Sequence, residues 1–254
     1  MVASAIERIA LISDMHGNDV AFEAVIADIE QVGVNGYVCL GDALQGGPQP
    51  VQVLERLRML DCPVVLGNSD EFLLRLSDAS AETPSERQLE VRDWSRAELG
   101  ADGLSLIEQM PLTASVALEG QGQLLAFHGS PRSNEDLLLP SSGADALLAY
   151  RDTNAAVLSG GHAHMQWSRL IDDALYVNPG SIGVPYDHHR PEDDLWLRPV
   201  AEYAFLNASD SGVTLEFRQV PFSLEALRAA VEGSSFPDAD RFFADWLRHD
   251  GSRG

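Results

Sequence analysis

Asp14 and His16 close the hydrophobic run Ile9-Ala10-Leu11-Ile12, and the same arrangement returns along the chain. Asp42 follows Tyr37-Val38-Cys39-Leu40, and Asn68 follows Val64-Val65-Leu66. His128 follows Leu124-Leu125-Ala126-Phe127, and His162 and His164 follow Ala155-Ala156-Val157-Leu158. Short apolar runs of this kind read as buried strands. Helical patterns separate the first three. Val20–Gln31 places Phe22, Val25, Ile26 and Ile29 at helical spacing and stops at Gly33; Val51–Leu60 follows Gly46-Gly47-Pro48; a third lies near Glu71–Leu76. Strand, loop and helix in alternation imply parallel strands with right-handed crossovers. In an open α/β sheet, ligands gather outside the carboxyl ends of the strands. The chain therefore delivers oxygen and imidazole donors repeatedly to one rim, which suits divalent metal ions.

The rest of the chain completes an α/β fold. A polar helical stretch opens at Pro84 and Ser85 and runs to about Leu99, with a second helix over Leu104–Gln109 that Pro111 stops. Strands are predicted at Ala114–Leu118, Leu124–Phe127, Gln166–Ile171, Leu175–Val177, Glu202–Leu206 and Val213–Gln219, and helices at Asp145–Tyr150, Leu224–Val231 and Asp238–Leu247. The expected architecture is one domain over residues 1–254: two packed mixed β-sheets flanked by helices on both outer faces. A helical cap is expected at about 78–110, over or beside the pocket, and a helical tail at about 222–254.

Bulk properties narrow the partners. The formal net charge is −22, and all 17 basic residues are arginine. Such a surface repels extended nucleic acid, whose binding depends on basic side chains neutralising phosphates. A small phosphorylated molecule remains compatible, because bound cations invert the local potential inside one pocket. No apolar run reaches the roughly 18 residues of a membrane span, and no signal peptide is visible at the N-terminus, so a cytoplasmic protein without membrane partners is expected. Cys39 stands near the end of the second strand pattern and Cys62 at the start of the third. That predicts opposite ends of neighbouring strands, too far apart for a disulfide, with both thiols behaving as small buried hydrophobes.

Read in order, Asp14-Met15-His16, Gly41-Asp42, Gly67-Asn68-Ser69-Asp70, His128-Gly129 and Gly161-His162-Ala163-His164 form a series that resembles the calcineurin-like metallophosphoesterases. It is most similar to their small prokaryotic phosphodiesterase branch, and Asn178-Pro179-Gly180-Ser181 adds to the match. The resemblance spans roughly Ile9 to Gly183. Singly these motifs are weak: Gly41-Asp42 reads as a turn and Asn68 as a helix cap before Glu71. Five in order, each after a strand, make a strong signal.

That resemblance implies a four-layer αββα sandwich and two divalent metal ions, Mn, Fe or Zn, with Mn favoured for activity. One ion is expected at Asp14, His16, Asp42 and His164, the other at Asp42, Asn68, His128 and His162. Asp42 would give one oxygen to each, and Gly160-Gly161 would let the two histidines diverge, one to each ion. The implied function is a binuclear metal-dependent phosphodiesterase or phosphatase. In such two-metal sites the ions lie about 3.5–4 Å apart, and a hydroxide between them would attack phosphorus in line. Asp42, Asn68 and His128 are expected to be catalytic, and the Asn178–Ser181 turn to support the ligands from below. Two alternatives share the fold: a non-catalytic protein-interaction module, as in the retromer scaffold subunit, and a protein phosphatase. Interaction modules tend to lose ligands, whereas every position here is filled.

One departure matters. Many relatives carry histidine directly after the asparagine ligand, to protonate the leaving group, whereas this chain has Ser69, a poor acid at neutral pH. His188 and His189 are possible substitutes, set against a plain reading as a solvated loop. Ser69, His188 and Arg132 are the expected substrate contacts, with Arg190 ranked behind Arg132.

Overall fold

The computed structural model describes residues 5–75, 84–151, 153–186, 196–237 and 239–247. In the first sheet, β1 (Arg8–Ile12) pairs in parallel with β2 (Gly36–Cys39) and antiparallel with β8 (Val200–Ser209), and β9 (Gly212–Pro221) adds to β8. The second sheet contains β3 (Thr113–Leu118), β4 (Gly122–Phe127), β5 (Val157–Ser159), β6 (Gln166–Ile171) and β7 (Ala174–Pro179), in the order β3-β4-β5-β7-β6. Strands β4, β5 and β7 run parallel to their neighbours in that central trio, and antiparallel β3 and β6 form the edges.

Side-chain alternation along β1 builds the layers. Ile9 and Leu11 point between the sheets, where Val38, Leu40, Leu124, Ala126, Val157, Val177 and Leu206 meet them. Ala10 and Ile12 point outward into a larger core beneath the helices. That face is covered by α1 (Asp19–Val32), α2 (Pro50–Leu60), α4 (Glu86–Ile107), α6 (Leu224–Glu232) and α7 (Ala239–Leu247). Capping sets several of their starts. The Asn18 side chain accepts from Ala21 N ahead of α1, and Ser85 and Gln88 form a capping box ahead of α4. Phe22 is wholly buried on α1; truncating such a phenylalanine to alanine costs about 3–5 kcal/mol. Among the described residues, the outer face of the second sheet carries only α5 (Ala144–Leu147), a 3-10 turn at Leu148–Tyr150 and neighbouring loop, packed on Phe127, Trp167 and Tyr176. The flanking helices are thus present on both faces but very unequal in length.

Three expectations change in detail. The third strand shrinks to one bridge, Cys39 to Val64. Pro63 has no amide hydrogen to continue a ladder, and Leu66 N turns to Pro111 O instead. The short α3 (Asn68–Phe72) begins at the predicted ligand rather than near Glu71. The same bridge overturns the reasoning about the cysteines: with Cys39 opposite Val64, Cys62 stands two residues from that register rather than at a far end. Both thiols are nonetheless free, Cys39 buried and Cys62 partly so.

The two helices predicted between 84 and 109 are both present; they share the label α4 and are separated by a kink at Gly100, with φ 62° and ψ −172°. Helix α4 lies against α2 and α3, and among the described residues none from 84 to 110 lines the pocket set out below. No helix among the described residues is long and apolar enough to cross a membrane.

Candidate metal centre

Immediately past the strand ends, the backbone leaves the extended region. Asp14, His16, Asp42, His162 and His164 all have φ between 46° and 66°, a left-handed conformation that costs roughly 1–3 kcal/mol each outside glycine. A lattice of main-chain hydrogen bonds holds them there. Asp14 N donates to Gly41 O (3.0 Å), His16 N to Asp42 O (2.9 Å) and Gly161 N to His128 O (2.9 Å). Strain gathered on residues that share one rim marks a functional site.

The seven side chains converge. Asp14, His16 and His164 form one group, and Asp42, His128 and His162 a second, each with ligand atoms within 4.8 Å of one another. Asn68 joins the second group, its Oδ1 2.9 Å from His128 Nε2. Asp42 stands between them: its Oδ2 is 3.7 Å from His16 Nε2 and 3.3 Å from His128 Nε2. His162 and His164 diverge to opposite groups, as the family resemblance implied and the double glycine ahead of them permits.

The remaining ring nitrogens fix tautomers. His16 Nδ1 meets Gln45 O at 2.9 Å, His128 Nδ1 meets Leu40 O at 2.7 Å and His164 Nδ1 meets Val184 O at 2.9 Å. A ring nitrogen facing a carbonyl must donate, which directs the Nε2 atoms at the centre. Supporting bonds also reach the carboxylates. Asp14 Oδ2 accepts from Ser13 Oγ (2.5 Å) and His162 N (3.3 Å), while Asp42 accepts from Ser69 N and Ser69 Oγ, both at 2.8 Å. The Asn178–Ser181 turn braces Asp14 from below, Ser181 Oγ donating to Asp14 O at 2.9 Å. Buried Asp70 accepts from Ala43 N and Leu44 N and pins the loop after Asp42.

These donors fit cations. Asp14 Oδ1 is buried without a hydrogen-bond partner, although His164 Nε2 lies 3.1 Å away. His16 Nε2 and His164 Nε2 face each other at 3.2 Å. A carboxylate oxygen and two imidazole nitrogens pointed at one spot are a ligand set for a divalent ion. The electrostatics agree. Burial works against a charged His128, yet Asp42 beside it raises the imidazole to about 9. Burial likewise opposes Asp42 ionisation, but His128, His16 and Ser69 hold the carboxyl far below the usual range. Burial prevails at His16 and His162, whose imidazoles are pushed below the ordinary value, so both stay neutral and free to act as ligands.

Above the donors opens a cavity of about 330 Å³, lined by His16, Asp42, Asn68, His162, His164 and Tyr186 among others. Tyr186 stacks on His164 with ring centres 5.3 Å apart. Ser69 also lines it, but both its donors are committed to Asp42. Arg132 does not reach the cavity; its side chain is 65% exposed and pairs with Asp136 at 2.9 Å. His188, His189 and Arg190 lie outside the described residues. Sequence reasoning missed the orienting carbonyls of Leu40, Gln45 and Val184, and the Tyr186 wall. A backbone carbonyl carries no residue-type signal, so only coordinates reveal the first three.

The fold and this rim define the class: an α/β sandwich with two adjacent groups of candidate metal ligands at the strand ends. The family model for the calcineurin-like phosphoesterase superfamily domain matches residues 8–194, and the chain belongs to that superfamily. An uncharacterized protein of Methanocaldococcus jannaschii is 28% identical over 196 residues, covering 70% of this chain and 77% of its own length. A hypothetical protein of Pyrococcus horikoshii has a similar solved structure, with TM-score 0.75 at 16% identity over 91% of this chain and 94% of its own. A metallophosphoesterase from Sphaerobacter thermophilus gives TM-score 0.69 at 24% identity over 94% and 99%. Both share the fold.

Proposed function

We propose that this chain is a binuclear metal-dependent phosphoesterase that hydrolyses a small phosphorylated substrate. The observation that carries the reading is Asp42, set between two groups of donors with its Oδ2 within 4 Å of a histidine from each. Two divalent ions held there, Mn, Fe or Zn by donor type, would supply activated water and draw off charge developing on the phosphoryl oxygens.

The chain's own residues do the rest. Asp14, His16 and His164 would hold one ion, and Asn68, His128 and His162 the other, with Asp42 available to both. The carbonyls of Gln45, Leu40 and Val184 keep three imidazoles in the donating orientation. No arginine lines the cavity among the described residues, so neutralising the substrate phosphate would fall to the cations. Among the described residues the cavity's ionisable side chains, apart from Tyr186, are donors of the centre, and Ser69 is spent on Asp42. With no leaving-group acid among those donors, esters of acidic alcohols and phenols are the favoured substrates. The surface charge of −22 turns away extended nucleic acid.

The test is Mn²⁺-dependent hydrolysis of a bis-aryl phosphate by the wild type and by Asp42→Asn. The proposal expects turnover that chelation abolishes and that the variant loses by at least 100-fold. Equal rates for the two proteins would remove it.

A further inference from the structure

We infer that Tyr186 sets the specificity of the site: its ring walls the cavity beside the donors and selects phosphoesters whose organic group is a flat aromatic ring. The inference deepens the phosphoesterase reading and rests on it for the phosphoryl group being held at the donors.

The cavity has two kinds of lining. His16, Asp42, Asn68, His162 and His164 are donors of the centre, and Ser69 is committed to Asp42. What remains among the described residues is Gly46, Ala163, Val184 and Tyr186, a strip without a carboxylate or a basic group. A phosphoryl group drawn to the donors turns its organic substituent either to solvent or to this strip. Tyr186 is the one large side chain there. Its ring stacks on His164, with centres 5.3 Å apart and planes 28° apart, and His164 lies 5.0 Å from the ring of His16. Three aromatic rings thus run side by side, and of these Tyr186 alone belongs to neither ligand group.

The wall is in place before a ligand arrives. Tyr186 pairs with Leu197 in an antiparallel bridge, Arg198 N donates to Pro185 O at 3.1 Å, and the Arg198 side chain pairs with buried Glu202 at 3.0 Å. Val184 N donates to Ser181 Oγ, and Val184 O accepts from His164 Nδ1, both at 2.9 Å. A surface held this way loses little freedom on binding. Aromatic rings attract one another in offset-stacked or edge-to-face geometry beyond the gain from buried area. A flat ring therefore gains more from Tyr186 than a puckered aliphatic ring of similar size. The cavity volume of about 330 Å³ stands at the small end of small-molecule sites. That suits a phosphoryl group carrying one ring system rather than a polymer.

The full chain loaded with Mn²⁺ is titrated by calorimetry with phenylphosphonate and with cyclohexylphosphonate, which share the anion and differ in the flatness of the ring. The wild type should bind the phenyl compound about 5-fold more tightly. Tyr186→Phe should keep that preference, and Tyr186→Leu should bring the two dissociation constants together. Methylphosphonate, too small to reach the wall, should bind all three proteins alike. Equal constants in the wild type, or a phenyl preference that survives in Tyr186→Leu, would overturn the inference, as would binding of none of the three phosphonates. Should Tyr186→Leu fail to fold by circular dichroism, Tyr186→Met makes the same comparison. A phenyl preference without hydrolysis of a bis-aryl phosphate would uphold the aromatic wall and bring down the hydrolase reading; hydrolysis without a phenyl preference would do the reverse.

Discussion

Gly67 has φ −85° and ψ 160°, a conformation open to any residue, so replacing it with alanine tests space alone. The added carbon would lie 2.0 Å from Asp42 Oδ1 and 2.2 Å from Asp42 N, where ordinary contact begins at 3.4 Å. Turning the carboxylate relieves the first clash but not the second. The segments before Asn68 and around Asp42 must part by roughly 1 Å, since a close-packed interior has no slack to absorb the overlap. Overpacking of this kind costs about 1–3 kcal/mol, and each kcal/mol lowers Tm by roughly 2–4 °C at this size. Gly67→Ala should therefore fold. The displaced group, however, is the shared ligand, and a 1 Å misplacement costs on the order of 100-fold in rate. We expect kcat/KM for a bis-aryl phosphate to fall about that far, with Mn²⁺ affinity reduced at both sites, because Asp42 belongs to both. Gly143→Ala is the control: its φ is −76°, nothing lies within 4 Å of the added carbon, and it should behave as wild type. Wild-type turnover and metal affinity in Gly67→Ala would refute the argument that the approach of these two loops positions Asp42.

Ser69→Ala removes a hydroxyl that donates to Asp42 at 2.8 Å but leaves the Ser69 amide in place; kcat/KM should fall about 10-fold, and an unchanged value would show that the hydroxyl is dispensable. Across a series of aryl phosphodiesters, rates should drop steeply as the leaving-group pKa rises, and a flat dependence would reveal a proton donor that the described cavity lacks. Glu202 is 4% exposed with Oε2 unpartnered, and burial pushes its carboxyl from the ordinary 4.5 up to about 7. Since the folded value is the higher one, its contribution to stability is complete below pH 4.5 and is lost as pH rises through 7. Thermal melts should show wild-type stability falling over that window by on the order of 3 kcal/mol relative to Glu202→Gln. Parallel curves for the two proteins would contradict this.

How much of this was legible beforehand follows from the range of the interactions involved. The ligands could be found because each strand pattern is local and the donors that end them, weak singly, follow in one order that resembles a known family. The split of His162 and His164 between the groups came from the family resemblance, with Gly160 and Gly161 only permitting it. Sheet order was out of reach. Strand β8 inserts beside β1 by pairing Leu206 with Ile9, a contact across nearly the whole chain that no window of sequence contains. The run Val64-Val65-Leu66 misled because three apolar residues fit a strand equally well whether their amides pair with β2 or, as with Leu66, with Pro111. The cysteine argument failed for a related reason. In strands this short, the start of one and the end of its neighbour are only two residues apart. Arg132 illustrates the opposite limit: its position near His128 suggested a phosphate clamp, but Asp136 four residues on captures it first.

Anomalous diffraction from crystals of the full chain grown with Mn²⁺ reaches the central claim most directly. Two peaks should flank Asp42, one in contact with Asp14, His16 and His164, the other with Asn68, His128 and His162. Peaks that leave Asp42 untouched, or a single ion held by residues from only one group at saturating Mn²⁺, would contradict the account.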